Sequence, residues 1–295
     1  MVQVLPILFI FLSGYIFKRF HKDSSTALID IVVYFIFPVF IIYKIHFLEF
    51  NDDIYVVVGL AFAAFTIGIL FAYVFSKLFN INANSAAMIA MSVAYGNTSF
   101  LGFAFVDSLY GDYALSLAIF YDQVNMLVLA MFSPIICSLG NQDSKFSMKK
   151  VMKSIATFPP TIAFVIAILT KWMVYPEMLT LFLEKIAMIL VPVVMFAVGM
   201  KFNISSIKGK GLGVVIIILI SMVLVPLSIY LIGIAFWDMD IAIKSAVMEA
   251  AMPPMVMATM IGIRGGLDED LGMASLGVGM TLSFVSIPLL YGFLG

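Results

Sequence analysis

Gly96-Asn97-Thr98-Ser99, followed by Gly102, sets an amide and two hydroxyls on consecutive residues inside an otherwise apolar stretch. Such a run is a poor centre for a lipid-facing helix, because glycine is entropically costly there and short polar side chains compete for backbone hydrogen bonds. A second interruption, Met252-Pro253-Pro254-Met255, lies far along the chain. Neither proline carries an N–H, so the carbonyls of Glu249 and Ala250 are expected to lose their helical partners, and the first proline is pushed toward an extended conformation. Beyond the break, the N–H groups of Met255, Val256 and Met257 would open a new half-helix. Its positive end suits a carboxylate or another anion, and the freed carbonyls suit a cation or water. This is chemistry for holding a small charged molecule. A simple kink satisfied by neighbouring helices would account for the proline pair alone equally well.

Ionisable residues inside apolar stretches are costly and point to function by default. Asp122 is accompanied by Gln123 and by Asn125, one turn away on roughly the same face. Glu249 lies four residues before Pro253 and about 13 Å along a helix from Asp240. Asp30 stands near the start of the second apolar stretch, where capping would also explain it. Asp122, Glu249 and Asp30 are the candidates for coupling transport to an ion; for Asp122 the alternative is a polar contact that glues helices together. Asp107, Glu184, Lys185 and Lys244 lie near expected helix ends and are read as snorkelling side chains. Bond-making chemistry finds little support. There is no phosphate-binding Gly-x-x-x-x-Gly-Lys-Ser/Thr loop and no Gly-x-Ser-x-Gly elbow. One cysteine, Cys137, and two histidines, His21 and His46, give no metal-ligand spacing, so no cofactor and no metal is expected.

The elements that must position these residues follow from composition. Of 295 residues, 63% are hydrophobic and 11% charged, and the mean hydropathy is +1.15. Soluble domains carry about 25% charged residues, so the chain is read as an all-α membrane protein. The net charge of −1 leaves no basic surface for nucleic acid. Continuous apolar runs exclude alternating barrel strands and place ten helical segments at about 2–17, 27–46, 53–76, 85–108, 112–139, 155–174, 178–200, 212–236, 240–264 and 271–294. The first is read as a retained helix, since no basic stretch precedes it and no small-residue cleavage pattern follows. Lys18, Arg19, Lys22, Lys77, Lys145, Lys149, Lys150, Lys153, Lys201, Lys208, Lys210 and Arg264 fall in odd-numbered connections, whereas Lys44, Lys171, Lys185 and Lys244 lie near the even ones with Glu49, Asp52, Asp53, Asp107, Asp112, Glu177, Asp238 and Asp240. Cations mark the cytoplasmic side, so both termini are expected outside the cytoplasmic membrane. Trp172 and Trp237 suit the outer aromatic belt.

The connection 140–154 divides the chain into two five-segment halves, 1–139 and 155–295. An odd number of segments per half inverts the second copy. The prolines support a repeat: Pro6, Pro38 and Pro134 each have a counterpart 154 residues later, at Pro160, Pro192 and Pro288. The same offset carries Asn97 onto Ala251 and Ser99 onto Pro253, near the centres of segments four and nine.

Tyr95-Gly96-Asn97-Thr98-Ser99-Phe100-Leu101-Gly102, Leu109-Tyr110-Gly111, Tyr121-Asp122-Gln123-Val124-Asn125, Val191-Pro192 with Gly199, and Ala251-Met252-Pro253 together resemble the auxin efflux carrier family and its bacterial members. Ser13-Gly14-Tyr15 and Phe37-Pro38 fit the same pattern, and the resemblance spans essentially the whole chain. It implies two inverted five-helix repeats with broken helices four and nine crossing at midplane. It also implies a scaffold of segments one, two, six and seven, and a moving core of the other six. Substrates in the family are small organic anions: auxin in plants, malate or malonate in bacteria. On this reading Gly96, Asn97, Thr98, Ser99, Gly102, Asp122, Asn125, Met252, Pro253, Pro254 and Met255 surround the substrate, with protons or sodium as candidate coupling ions. The family commonly has proline two residues after the glycine matching Gly102, whereas this chain reads Gly102-Phe103-Ala104, so a gentler bend is expected in segment four. A passive channel and an intramembrane hydrolase are the alternative readings. Lipid-facing surfaces are uniformly apolar and mark no interface, so a homodimer is left open.

Overall fold

Strong apolar runs become helices here, and each departure from a regular helix coincides with a residue whose chemistry forces it. The computed structural model describes residues 5–21, 24–48, 50–141, 149, 153, 156–201 and 210–295. Lys22, Glu49, Lys145, Lys150 and Lys208, used above to infer orientation, lie outside the described residues, as does most of the connection 140–154. Among the described residues the chain is all-helical, apart from one isolated antiparallel bridge.

Helix α1 is Leu5–Phe20. Helix α2 runs from Ser25–Ile31 through a π turn, Val32–Ile36, into Phe37–Phe47. Pro38 removes the N–H that would bond the carbonyl of Tyr34 inside that turn, and the helix widens to accommodate it. Helix α3 is Asp52–Leu78 and α4 is Ala83–Ala94. After a non-helical step, a π turn at Thr98–Gly102 leads into α5, Phe103–Gly140. Gly111 divides α5: its φ of 79° and ψ of −171° suit glycine and no ordinary L residue, so 103–110 and 112–140 are two arms at an angle.

The sixth expected segment is shorter than anticipated, since α6 is Pro159–Leu169. The seventh is interrupted: α7, Glu177–Met188, and α8, Leu190–Lys201, meet at Ile189. Pro192 has no N–H for the carbonyl of Met188, which is where α7 ends. Helix α9 runs Gly211–Leu219, a π turn Ile220–Leu224, then Val225–Phe236, with Pro226 repeating the geometry of Pro38. Helix α10 is Ile241–Ala250, α11 is Val256–Arg264 and α12 is Glu269–Leu294. Six stretches among the described residues are long and apolar enough to cross a bilayer: Ala27–Phe47, Asp52–Leu78, Thr98–Gly140, Glu177–Met200, Gly211–Phe236 and Glu269–Leu294.

Packing sorts the helices into two groups. Helices α1, α2, α6, α7 and α8 pack mainly on one another, as do α3, α4, α5 and α9 to α12. In the first group α1 and α8 touch backbone to backbone. A Cβ on Gly14 would lie 2.1 Å from the carbonyl oxygen of Phe196, and one on Gly199 would lie 2.0 Å from that of Phe11. In the second group Asp268 ties three helices. It accepts Lys210 Nζ at 2.7 Å and Ser85 Oγ at 2.6 Å, and it caps α12 through the Leu271 N–H. Burial alone would raise the pKa of the Asp268 carboxyl, but the hydrogen bonds from Lys210, Ser85 and Leu271 outweigh it and hold the carboxyl below the usual aspartate value.

Candidate functional site

The two non-helical steps between α4 and α5 and between α10 and α11 are paired with each other. Gly96 and Pro254 form an antiparallel bridge. Around it the Asn97 N–H donates to the Pro253 carbonyl at 2.8 Å, and the Met255 N–H donates to the Tyr95 carbonyl at 2.9 Å. This register gives Pro254 the ladder position from which no N–H is required, so the missing donor costs nothing. Small size at Gly96 matters, because a Cβ there would stand 3.3 Å from both the Glu249 carbonyl oxygen and Met252 Cβ.

Four helix ends therefore converge. Helices α4 and α10 finish at Ala94 and Ala250 with their negative ends, and the Thr98 turn and α11 begin with their positive ends. Met255, the residue that starts α11, offers no side-chain cap. The first intrahelical bond there is from the Thr259 N–H to the Met255 carbonyl, so the N–H groups of Val256, Met257 and Ala258 have no intrahelical acceptor. The structure alters two expectations at this break. The Met255 N–H is used in the bridge and does not join this free set. The Glu249 carbonyl is not orphaned either, because it accepts the Met252 N–H at 3.2 Å in a tightened final turn.

Asp122 reaches the first break from α5. Its Oδ1 accepts the Thr98 hydroxyl at 2.5 Å and also the Ser99 hydroxyl, and Asn125 Nδ2 donates to Thr98 Oγ1 at 3.3 Å. Thr98, Ser99, Asp122 and Asn125 are all buried. Asn97 is 1% exposed, and its Nδ2 donor has no partner. Gly102 does not act as a hinge: the turn is continuous through it, and the Leu101 and Gly102 N–H groups both donate to the Asn97 carbonyl. Its missing side chain instead admits the Glu249 carboxyl, whose Oε2 lies 2.1 Å from where a Cβ would be. Glu249 is fully buried, and neither carboxylate oxygen has a hydrogen-bond partner.

Of the residues singled out from sequence, Gly96, Asn97, Thr98, Ser99, Gly102, Asp122, Asn125, Glu249, Met252, Pro253, Pro254 and Met255 thus gather around one crossing. Asp30 does not join them; it is exposed on α2 in the other packing group. Tyr95, which supplies a bridging carbonyl, is missing from that set, although it opens the motif that continues through Gly96.

Among the cavities where the packing groups meet, two differ sharply in lining. One of about 140 Å³ is apolar, with Ile29 and Val198 from one group and Phe100, Val256 and Met280 from the other. Another of about 360 Å³ is lined by Lys44, Asp107, Asp112 and Glu184. Asp107 and Glu184, expected merely to reach the interface, border this second cavity, and Lys44 pairs with Asp112 at 2.7 Å across the two groups. Phe37, Phe40 and Phe103 cluster between the groups, with Phe103 edge-on to Phe37 at 5.7 Å and tilted against Phe40 at 5.9 Å. No cluster of metal-ligating side chains occurs among the described residues.

With six apolar helices of bilayer length among the described residues, and a buried polar crossing between them, the chain is a multi-pass membrane protein. Residues 1–146 and 141–291 match the family described as Membrane transport protein, and the chain belongs to that family, the auxin efflux carriers its motifs resemble. Its relatives include an uncharacterized transporter of Methanothermobacter thermautotrophicus, 23% identical over 97% of this chain and 95% of the relative. Another, from Methanocaldococcus jannaschii, is 23% identical over 97% of this chain and 96% of its own. The uncharacterized transporter YfdV of Escherichia coli is 26% identical over 97% and 95%.

Proposed function

We propose that the protein is a secondary carrier of the cytoplasmic membrane that moves a small organic anion, a carboxylate, by alternating access. The main-chain bridge between the two breaks carries this reading. It ties the break that holds the unpartnered Asn97 amide to the break from which α11 opens with its free N–H groups, and a helix terminus of this kind receives an anion.

In this reading the chain crosses the bilayer ten times as two inverted halves, with both termini outside. Segment four is α4 plus 98–110, and segment nine is α10 plus α11. At 1.5 Å per residue the ten residues of α10 cover about 15 Å, half of the roughly 30 Å hydrocarbon core, which sets the bridge near the midplane. The group containing α1 is the scaffold and the group containing α5 moves against it. The two cavities are then the approaches from either side, and Phe37, Phe40 and Phe103 stand between them. Asn97 and the first turn of α11 contact the carboxylate. Thr98 and Ser99 hold Asp122 in place, with Asn125 donating to Thr98, and Asp122, Glu249 and Asp30 are candidates for ion linkage.

Flux into proteoliposomes with a panel of labelled mono- and dicarboxylates, malate included, tests the proposal. One of them should show counterflow that saturates, with no ion current in planar bilayers. Large currents would favour a channel. Wild-type rates in both Asn97→Ala and Pro253→Ala, normally inserted, would overturn the site.

A further inference from the structure

Two carboxyl groups meet at the crossing, and their surroundings differ. Asp122 has one oxygen occupied by two hydroxyls and the other, Oδ2, without a partner. Glu249 has no partner on either oxygen, is 0% exposed, and occupies a slot that exists only because residue 102 lacks a side chain. Helix α10, which carries Glu249, packs on α3, α5, α9, α12 and the Thr98–Gly102 turn. Of the ionisable groups on these elements, Asp122 and Tyr121, both on α5, face Glu249, and neither supplies positive charge. An ionised carboxylate held where no protein group donates to either oxygen would cost several kcal/mol. A neutral acid fits there with far smaller penalty, and the negative end of α10 beside it works in the same direction.

We propose that Glu249 is the proton-binding site of this carrier, taking up one proton as the crossing closes and releasing it to water when the crossing opens. The inference rests on the carrier reading above and selects one of its three candidates. The step is a plain ionisation: the Glu249 O–H bond breaks, its electron pair stays on the carboxylate, and the proton passes to water on the open side. Asp122 is a positioning residue that fixes the hydroxyls of Thr98 and Ser99. Gly102 supplies the slot. A monocarboxylate then crosses together with one proton.

The direct test needs no substrate. Infrared difference spectra of the purified protein in lipid, recorded at stepped pH, should contain the band of a protonated carboxyl that titrates. The band should be absent from Glu249→Gln and present in Asp122→Asn. Persistence in Glu249→Gln, loss in Asp122→Asn, or no titrating band in the wild type would overturn the assignment. Transport separates this inference from the carrier reading. For a carboxylate that gives counterflow, a pH gradient of one unit should drive about tenfold accumulation by the wild type, since one unit is about 1.36 kcal/mol. Accumulation should fall to the level without a gradient in Glu249→Gln and return in Glu249→Asp. Counterflow that ignores pH but follows a sodium gradient would sink the proton site and leave the carrier standing. No counterflow with any carboxylate would sink the carrier itself, whereas the infrared result would still decide the proton.

Discussion

The two interruptions that meet at the bridge solve one backbone problem by opposite means. Between α4 and α5 the helix is broken by glycine and by polar side chains, and Asn97, Thr98 and Ser99 supply the short polar side chains of the pair. Between α10 and α11 it is broken by covalent geometry, and Met252, Pro253, Pro254 and Met255 offer nothing polar except backbone. One strand of the crossing holds shape and the other holds chemistry. A polar group in such a place must be satisfied or used, so the division keeps the number of buried unpaired groups small.

Substitutions can break that comparison. The largest effect on transport is expected at the chemical strand. Asn97→Ala removes a donor aimed at a charged ligand, worth about 1.5–3 kcal/mol, and should raise the KM for the carboxylate roughly 10–150-fold in proteoliposome flux. Gly102→Ala tests whether the slot is real. Its methyl group would overlap the Glu249 carboxyl, and it should destabilise the protein by about 1–3 kcal/mol, read as a lower unfolding temperature in detergent. Pro253→Ala probes the shape-holding strand. The carbonyl of residue 253 still accepts the Asn97 N–H and Pro254 still stops the helix, so KM should change less than about tenfold. If Pro253→Ala proved more damaging than Asn97→Ala, the division of labour proposed here would be reversed.

The smallest effect lies away from the crossing, at Asp268. Its folded carboxyl ionises below the usual aspartate value, so its stabilising contribution is fully present above about pH 3.9 and is lost as pH falls through the folded value. The gap in unfolding temperature between wild type and Asp268→Asn should therefore be constant at neutral pH and close in strong acid. For a partly exposed ion pair the gap corresponds to about 1 kcal/mol or less. A gap that widened in acid would show that Lys210 and Ser85 do not hold the ionised form.

Much of this was legible because bilayer helices announce themselves in apolar runs and because Gly, Pro and short polar residues punctuate them. Gly96-Asn97-Thr98-Ser99 and Pro253-Pro254 located both interruptions to within a residue or two. Three features needed coordinates. The bridge joins main-chain atoms 158 positions apart in sequence at Gly96 and Pro254, and nothing in side-chain type encodes such a pairing. The role of Gly102 depends on a carboxyl arriving from another helix, so it could be read only as a bend. The interruption at Ile189 followed from Pro192, but prolines in membrane helices are often tolerated, and the chain alone does not say which will break one. Asp30 shows the converse: a charge inside an apolar run, which capping would also explain, lies exposed in the other packing group and away from the crossing.

The fastening of the two interrupted segments is made of amides and carbonyls, which every residue type provides. Side chains bordering the bridge can therefore be exchanged without undoing it, and relatives only about a quarter identical to this chain could keep a common knot while presenting different linings to their cargo. Because each segment grips the other on both sides of that knot, neither can tilt alone, so any rearrangement of the crossing has to carry both along as one piece.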